Sequence, residues 1–167
     1  MLKHPISSTD MDEKTALHRV EALCSSREYC VSEIKEKLMR WGQSEQVQER
    51  IVSHLLKERY IDEARFCRAY AHDKMRYNHW GRVKISQCLR MLDVPDEDRE
   101  QALRELPDEE YEDIARHLIT GKRASIKAKT AYERNGKLMR FLLGRGFEPS
   151  LVRRLLDAED DFSGDSD

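Results

Sequence analysis

The stretch from Arg59 to Leu89, RYIDEARFCRAYAHDKMRYNHWGRVKISQCL, contains the signals that decide the fold. Asp62 is suited to begin a helix, because its carboxylate can accept hydrogen bonds from the free N–H groups of the first helical turn. The residues that follow at helical spacing predict one apolar face: Ala64, Phe66, Ala69 and Tyr70. Trp80 and Gly81 interrupt this helix, and a second amphipathic helix follows. The stretch therefore predicts two consecutive helices with a turn between them.

The composition extends this reading to the whole chain. Only 7% of the 167 residues are aromatic and 37% are charged, which argues against a single thick core. The chain has only seven Gly and four Pro, the residues that interrupt helices. No long segment alternates apolar and polar residues with the period of two that a strand requires. The sequence therefore predicts an all-α protein, an elongated tandem array of three three-helix repeats. It contains no signal peptide and no apolar run long enough to span a membrane, so we expect a cytoplasmic protein without membrane contact.

A residue pattern that recurs at spacings of 51 and 53 residues indicates the repeats. Each copy has two apolar residues, a turn residue and a fourth position: Ile34, Leu38, Gly42 and Val47; Ile85, Leu89, Asp93 and Asp98; Leu138, Leu142, Gly146 and Leu151. In the second copy an aspartate replaces the glycine, and Asp98 stands at an apolar position. We therefore expect the last helix of that copy to pack through other residues: Ala102, Leu103 and Leu106.

The pattern divides the chain into five segments. They are a flexible N-terminal lead, three three-helix repeats and an acidic tail without order: 1–13, 14–61, 62–107, 108–158 and 159–167. In the first repeat, helices are predicted from Thr15 to Leu23, from a cap at Ser32, and from Ser44 to Lys57.

No pattern in the sequence indicates catalysis, a metal site or a cofactor. The phosphate-binding GxxxxGK(S/T), the zinc-binding HExxH and the nucleophile motif GxSxG are all absent from the sequence. His72 and His79 could share a helix face, but no third ligand accompanies them. The four cysteines form no CxxC pair and favour reduced, buried thiols: Cys24, Cys30, Cys67 and Cys88. We predict that the protein is not an enzyme.

Charge is strongly segregated along the chain, although the total is only −2. Residues 63–92 carry a net charge of +5, residues 93–113 carry −9, and residues 114–156 carry +9. Because salt screens charges beyond about 8 to 10 Å, a partner meets these blocks almost separately. This segregation exceeds what solubility requires and predicts a binding surface.

Four segments resemble the RecX family, the small bacterial regulators of the RecA recombinase. They are Tyr60 to Phe66 (YIDEARF), the spaced residues Gly81, Ile85 and Leu89, the segment Lys137 to Phe147 (KLMRFLLGRGF), and Ser32, Glu33 and Ile34 with Leu38. The similarity covers about residues 15–156, and the order and spacing of the segments carry it. One departure is the sequence Met91-Leu92-Asp93-Val94, where the family usually has Lys-Gly.

The resemblance implies a tandem array of three-helix repeats that binds RecA filaments on DNA, along the filament groove. It also implies that the protein restrains ATP hydrolysis, strand exchange and coprotease activity. The implied partners are RecA and, without sequence preference, DNA; we expect a monomer. The acidic segment 93–113 could then meet basic residues of the filament.

The candidate contact residues are the cations of the second and third repeats, which can neutralise phosphates without reading sequence. They are Arg65, Arg68, Lys74, Arg76, Arg82, Lys84, Arg90, Lys122, Arg123, Lys127, Lys129, Arg134, Lys137, Arg140 and Arg145. Aromatic residues lie among them and could stack on bases or cover a protein contact: Tyr70, Tyr77, Trp80 and Tyr132. For any single cation the simpler interpretation is a solvated helix face. For Trp41 and Trp80, the simpler interpretation is that the side chain packs against the core.

Two other functions fit the sequence less well. A helix-turn-helix protein that recognises one operator would need polar residues on an exposed helix start, and the first repeat offers only a weak set: Gln43, Gln46, Gln48 and Arg50. A protein scaffold that does not contact DNA would bind its partner equally well in the absence of DNA.

Overall fold

The computed structural model describes residues 11–164, and in that part of the chain the backbone forms helices and no strands. The nine helices are α1 (Glu13–Ser26), α2 (Val31–Arg40), α3 (Glu45–Lys57), α4 (Glu63–Asn78), α5 (Arg82–Met91), α6 (Asp96–Arg104), α7 (Asp108–Ser125), α8 (Ala131–Gly144) and α9 (Pro149–Gly164). They form three consecutive units, α1–α3, α4–α6 and α7–α9, each with a leading, a middle and a closing helix. The predicted all-α repeat fold is confirmed.

The middle helices α2, α5 and α8 are equivalent, as the sequence pattern predicts. The two apolar positions of the pattern are fully buried in every unit: Ile34, Ile85 and Leu138 at the first position, and Leu38, Leu89 and Leu142 at the second. The turn residue that follows has a positive φ in all three units, 78° at Gly42, 54° at Asp93 and 93° at Gly146. Asp93 therefore adopts the left-handed conformation that glycine adopts elsewhere, which aspartate tolerates better than most residues.

Of the three predicted helix caps, two agree with the structure, and α1 begins at Glu13, two residues before the predicted start at Thr15. Asp62 caps α4 by accepting the Arg65 N–H at 2.9 Å, and Ser44 caps α3. The expected cap of α2 at Ser32 is wrong. The N-cap residue is Cys30, whose N–H donates to Glu33 Oε1 at 3.1 Å.

Two hydrophobic cores hold the described part of the chain together. The first lies within α1–α3 and includes Val20, Leu55 and Ile61. The second is shared by α4–α6 and α7–α9, and Cys30 of the first unit also packs into it. As expected, the end of the second unit packs through Ala102 and Leu103 of α6 and through Leu106, which follows the helix. Val94, which precedes α6, packs there as well. The second and third units therefore form one packing unit.

The closing helix α9 continues to Gly164, so the prediction of a tail without order is wrong for residues 159–164. The acidic residues at this end are held by the third unit itself. Glu159 pairs with Arg123 at 2.5 Å, and Asp160 accepts a hydrogen bond from Asn135 Nδ2 at 2.8 Å. These polar contacts stabilise the end of α9, whereas the prediction considered only its low apolar content. The expected lead and tail fall outside the described residues at 1–10 and 165–167.

None of the helices formed by residues 11–164 is both long and apolar enough to cross a membrane.

Candidate interface: a strip of cations on aromatic rings

Six of the fifteen candidate cations are engaged with carboxylates of the same chain. These ion pairs are Arg65–Glu28, Arg76–Glu110, Arg82–Asp108, Arg123–Glu159, Arg134–Asp160 and Lys137–Glu133. A carboxylate that already occupies a guanidinium competes with any phosphate or acidic side chain of a partner. The structure therefore gives these six cations contacts within the fold, and the sequence alone did not separate them from the others.

Arg82 is the clearest structural cation. Its guanidinium lies 4.0 Å above the Tyr111 ring, and its Nε donates to the Leu103 carbonyl at 3.0 Å. The Tyr111 hydroxyl accepts a hydrogen bond from the backbone N–H of Arg82 at 2.8 Å and donates one to Glu148 Oε1 at 2.5 Å. Burial raises the pKa of Tyr111, so this hydroxyl stays protonated and able to donate. The network joins the second unit to the third.

Five of the eleven acidic residues in segment 93–113 form ion pairs with arginines of the described residues. The hydrogen bond from Arg76 lowers the pKa of Glu110, and the one from Arg154 lowers the pKa of Glu112. Asp108 and Asp113 have arginine partners as well. These carboxylates therefore stabilise the array, and only part of the charge of the segment is available to a partner.

Four other candidates lie over aromatic rings and form no ion pair with a carboxylate of the described residues. Lys74 and Lys84 lie 5.1 and 4.5 Å from the centre of the Trp80 ring system. On the Phe141 ring, the corresponding distances are 4.9 Å for Lys122 and 5.5 Å for Arg145. A ring attracts a cation without cancelling its charge, so these groups remain able to bind an anion.

The two ring clusters are adjacent although they belong to different units. Arg145 Nη1 donates to the carbonyl of Asn78, two residues before Trp80, at 3.1 Å. Gly146 lies directly against Lys84: a Cβ placed on Gly146 would come within 2.3 Å of Lys84 Cβ. The cations of the second and third units therefore form one continuous surface.

The first unit contributes a similar cluster, which the sequence analysis missed. Arg27 and Lys37 lie 3.6 and 5.8 Å from the centre of the Tyr29 ring, and Arg27 also pairs with Glu33. Arg27 and Tyr70 line one cavity of about 230 Å³, together with the acidic residues Glu28 and Asp73. Lys74 lies over the Tyr70 ring, so this cluster borders the second unit. Tyr29 and Trp80 are 51 residues apart, the repeat spacing, and this was the available signal.

We call this surface the cation–aromatic strip. It consists of the cations Arg27, Lys37, Lys74, Lys84, Lys122 and Arg145 and the rings Tyr29, Trp80 and Phe141. It runs through all three units, with one ring cluster in each.

The remaining five candidates are exposed and form no hydrogen bond or ion pair through their side chains within residues 11–164: Arg68, Arg90, Lys127, Lys129 and Arg140. Of the four aromatic residues considered with them, Tyr77 and Tyr132 are 78% and 90% exposed. Tyr70 and Trp80 pack against the core, as Trp41 does in the first unit.

The cysteines are free thiols among residues that pack the fold. Burial raises the pKa of Cys67 to about 12, which makes it a poor nucleophile at neutral pH. Within the described range, no three His, Cys, Asp or Glu side chains are grouped closely enough to hold a metal ion.

The fold and this surface define a class: an all-α protein built from three tandem three-helix repeats. Two family descriptions match it directly. "RecX, second three-helix domain" matches residues 62–103 and "RecX, third three-helix domain" matches residues 108–156, together more than half of the chain.

Individual relatives agree. The chain is 31% identical over 151 residues to "Regulatory protein RecX" of Prosthecochloris aestuarii, which covers 89% of this chain and 96% of the relative. It is 30% identical over 139 residues to the protein of the same name from Vibrio parahaemolyticus, with 83% and 88% covered.

Two crystal structures share the fold. One, of a regulatory protein RecX, has a TM-score of 0.78 at 22% identity and covers 87% of this chain and 73% of its own. RecX from Lactobacillus salivarius has a TM-score of 0.77 at 18% identity and covers 89% and 96%. The chain belongs to the RecX family of regulatory proteins.

Proposed function

We propose that this protein binds the RecA filament on DNA, along its groove, and restrains ATP hydrolysis, strand exchange and coprotease activity. Membership of a family of regulatory proteins supports a regulatory role. The observation that carries the proposal is the cation–aromatic strip, because it offers cations along the length of the array to an extended anionic partner.

The strip suits a nucleoprotein partner for two physical reasons. Five of the six strip cations have no carboxylate partner among the described residues, the exception being Arg27, which pairs with Glu33. Such cations release counterions when they meet phosphates, which gives affinity without sequence readout. The rings beneath them restrict the side chains and thereby lower the entropy lost on binding. A partner that follows the strip contacts all three units at once.

The test compares charge reversals on and off the strip. Lys84→Glu with Lys122→Glu removes two strip cations, one from each of the second and third units. The control is Lys14→Glu with Lys57→Glu, which has the same change in net charge and alters exposed residues of the first unit away from the strip. Melting temperatures of all variants establish that they fold.

The readouts are RecA ATPase and strand-exchange rates on DNA at increasing protein concentration. Each lost charged contact costs roughly 1 to 2 kcal/mol, so we expect the strip variant to need at least about ten times more protein for equal inhibition. The control should match the unaltered chain. Equal potency of all three proteins, or no effect of the unaltered protein on RecA, refutes the proposal.

The helix-turn-helix alternative receives less support. Gln43 Nε2 donates to the Met11 carbonyl and Gln48 Nε2 to the Gln43 carbonyl at 3.0 Å, so two of its candidate side chains already have partners. A footprint at one defined DNA sequence would favour this alternative. Binding to any DNA with a steep dependence on salt would favour the strip.

A further inference from the structure

A groove between α8 and α9 lies apart from the residues of the cation–aromatic strip. It encloses about 530 Å³, and its apolar lining comes from Gly136, Met139 and Leu156. Arg140 on α8 and Arg153 on α9 also line it. The groove therefore combines an apolar floor with cations from two helices.

The two helices run in opposite directions, which gives the groove two different ends. Asn135 of α8 bonds to Asp160 of α9 at 2.8 Å, so the start of α8 lies beside the end of α9. The turn from Arg145 to Glu148 joins the helices at the other end. Arg140 and Arg153 lie toward that turn, and Glu133 lies toward the opposite end.

The arginines of the groove are available, whereas the nearby glutamate is not. Arg140 and Arg153 are exposed, and neither forms an ion pair or a side-chain hydrogen bond in the described structure. Glu133 is held by Lys137 Nζ at 3.5 Å and by the Lys129 N–H at 3.2 Å. Two unpaired guanidinium groups on facing helices form a receptor for a carboxylate, which each can bind in a bidentate manner.

The equivalent helices of the first unit, α2 and α3, are joined by an ion pair. Lys35 and Glu49, which contact each other at 3.4 Å, stand at the repeat positions of Met139 and Arg153. In the third unit a methionine and an arginine replace that pair. The third unit therefore has an unpaired charge where the first unit has an internal ion pair.

We propose that the α8–α9 groove binds a segment of a partner protein in which a carboxylate is followed by an apolar side chain. The carboxylate pairs with Arg140 and Arg153, and the apolar side chain contacts Met139 and Leu156. Asp157 also lines the groove and opposes any anion, but the two unpaired arginines outnumber it. A nucleic-acid strand fits less well, because its backbone would leave the apolar floor unused.

The test uses a short fluorescein-labelled synthetic peptide, Gly-Ser-Asp-Glu-Leu-Leu-Gly-Ser, and measures fluorescence anisotropy with the full chain. A control peptide carries Asn-Gln in place of Asp-Glu, and a labelled oligothymidylate reports on nucleic acid. Neither RecA nor a filament is present, so the result is independent of the proposed filament binding.

Two variants probe the groove in different ways. Arg140→Gln with Arg153→Gln removes its charge, and Lys14→Gln with Lys57→Gln is the matched control. Gly136→Leu fills the groove; a Cβ at Gly136 meets only Arg140 Nη1, at 3.8 Å, so the helix accepts it. Leucine is also the better helix former, so the fold is retained.

We expect both groove variants to bind the acidic peptide at least about tenfold more weakly, and the control variant to bind it unchanged. The control peptide with Asn-Gln should bind the unaltered chain at least about tenfold more weakly than the acidic peptide does. The proposal is overturned if the acidic peptide does not bind the unaltered chain, or if both groove variants bind it normally. It is also overturned if the groove variants lose oligothymidylate binding and keep the peptide.

Discussion

The junction between the second and third units differs from the junction between the first and second, although the three units have the same order of helices. At the second–third junction, backbone atoms bond directly to each other, in addition to the Arg82–Tyr111–Glu148 network. The Gly81 N–H donates to the Arg145 carbonyl at 2.8 Å, and the Val83 N–H donates to the Gly146 carbonyl at 2.9 Å. Both units also share one hydrophobic core.

At the first–second junction, side chains make the corresponding bonds. Glu63 Oε1 accepts the Val31 N–H at 2.7 Å, and Ser32 Oγ donates to the Leu92 carbonyl at 2.7 Å. The first unit has its own core, and Cys30 is its buried residue in the core shared by the second and third units. The difference teaches that one repeat geometry can produce either a fused pair or a docked neighbour. We expect the second and third units to unfold together and the first unit to open more readily.

The largest effect is expected from Gly81→Ala. A Cβ at this position would lie 2.3 Å from the carbonyl carbon of Gly146 and 2.3 Å from the Phe147 nitrogen. Because these are backbone atoms, relief requires the two units to separate. We expect a loss of roughly 3 kcal/mol or more in the free energy of unfolding, measured by urea denaturation.

The control for this change is Gly121→Ala, where a Cβ meets nothing within 4 Å. Gly121 lies in α7, and alanine favours helix by about 0.5 to 1 kcal/mol over glycine, so this variant should be slightly more stable. If Gly81→Ala were as stable as Gly121→Ala, the close backbone approach at the second–third junction would be refuted.

A smaller loss is expected from Tyr111→Phe at the same junction. The change removes the hydroxyl that donates to Glu148 and accepts the Arg82 N–H, while the ring beneath the Arg82 guanidinium stays. Leaving a half-buried donor unsatisfied costs about 1 to 3 kcal/mol. The melting temperature measures it, and the exposed Tyr77→Phe serves as the control. Equal melting temperatures for the two variants would show that the hydroxyl adds nothing to the junction.

The helices were predictable because their signals are local. The spacing of Ile34 and Leu38, repeated twice more, identifies the buried face of each middle helix, and Asp62 identifies a helix start. The closeness of Gly81 to Gly146 was not predictable, since a glycine beside a turn is equally expected where the backbone merely bends. The family motif contains both glycines, and the structure supplies the reason: they touch across a junction.

The candidate interface was predictable only as a set of charges. Arg76 and Glu110 are 34 residues apart, and their pairing depends on how α4 and α7 pack, which no local pattern records. The same holds for Lys122, whose ring partner Phe141 lies on another helix. The net charge of a block therefore does not distinguish cations that form ion pairs within the fold from cations that have no such partner.

At the first–second junction, Ser32→Ala is expected to cost about 1 kcal/mol, because it removes one hydrogen bond to the Leu92 carbonyl. The effect should be local. Hydrogen exchange should show faster opening of the amides of α1–α3, with the slowest amides of α4–α9 unchanged. Ser53→Ala, on the same unit but exposed and away from the junction, should leave both sets unchanged. Uniform acceleration across all nine helices would instead indicate that the three units unfold as one.

The smallest effect is expected from Glu63→Gln, and its sign depends on pH. Burial raises the pKa of Glu63 and the charge of Asp98 raises it further, against the opposing hydrogen bond from Val31. The folded state therefore binds the proton more tightly than the unfolded chain does. Ionisation of Glu63 weakens folding above the folded-state pKa, and this penalty vanishes as the pH falls below the unfolded value of about 4.5.

Glutamine removes the charge, and its side-chain carbonyl can still accept the Val31 N–H. The variant should therefore melt slightly above the unaltered chain at pH 7, and the difference should shrink toward pH 4. Glu100→Gln, an exposed change on α6, is the control and should leave the melting temperature unchanged at both pH values. A lower melting temperature of Glu63→Gln at pH 7 would mean that the carboxylate charge itself holds the first unit to the second. The docked junction would then depend on charge, whereas the fused junction depends on backbone contact.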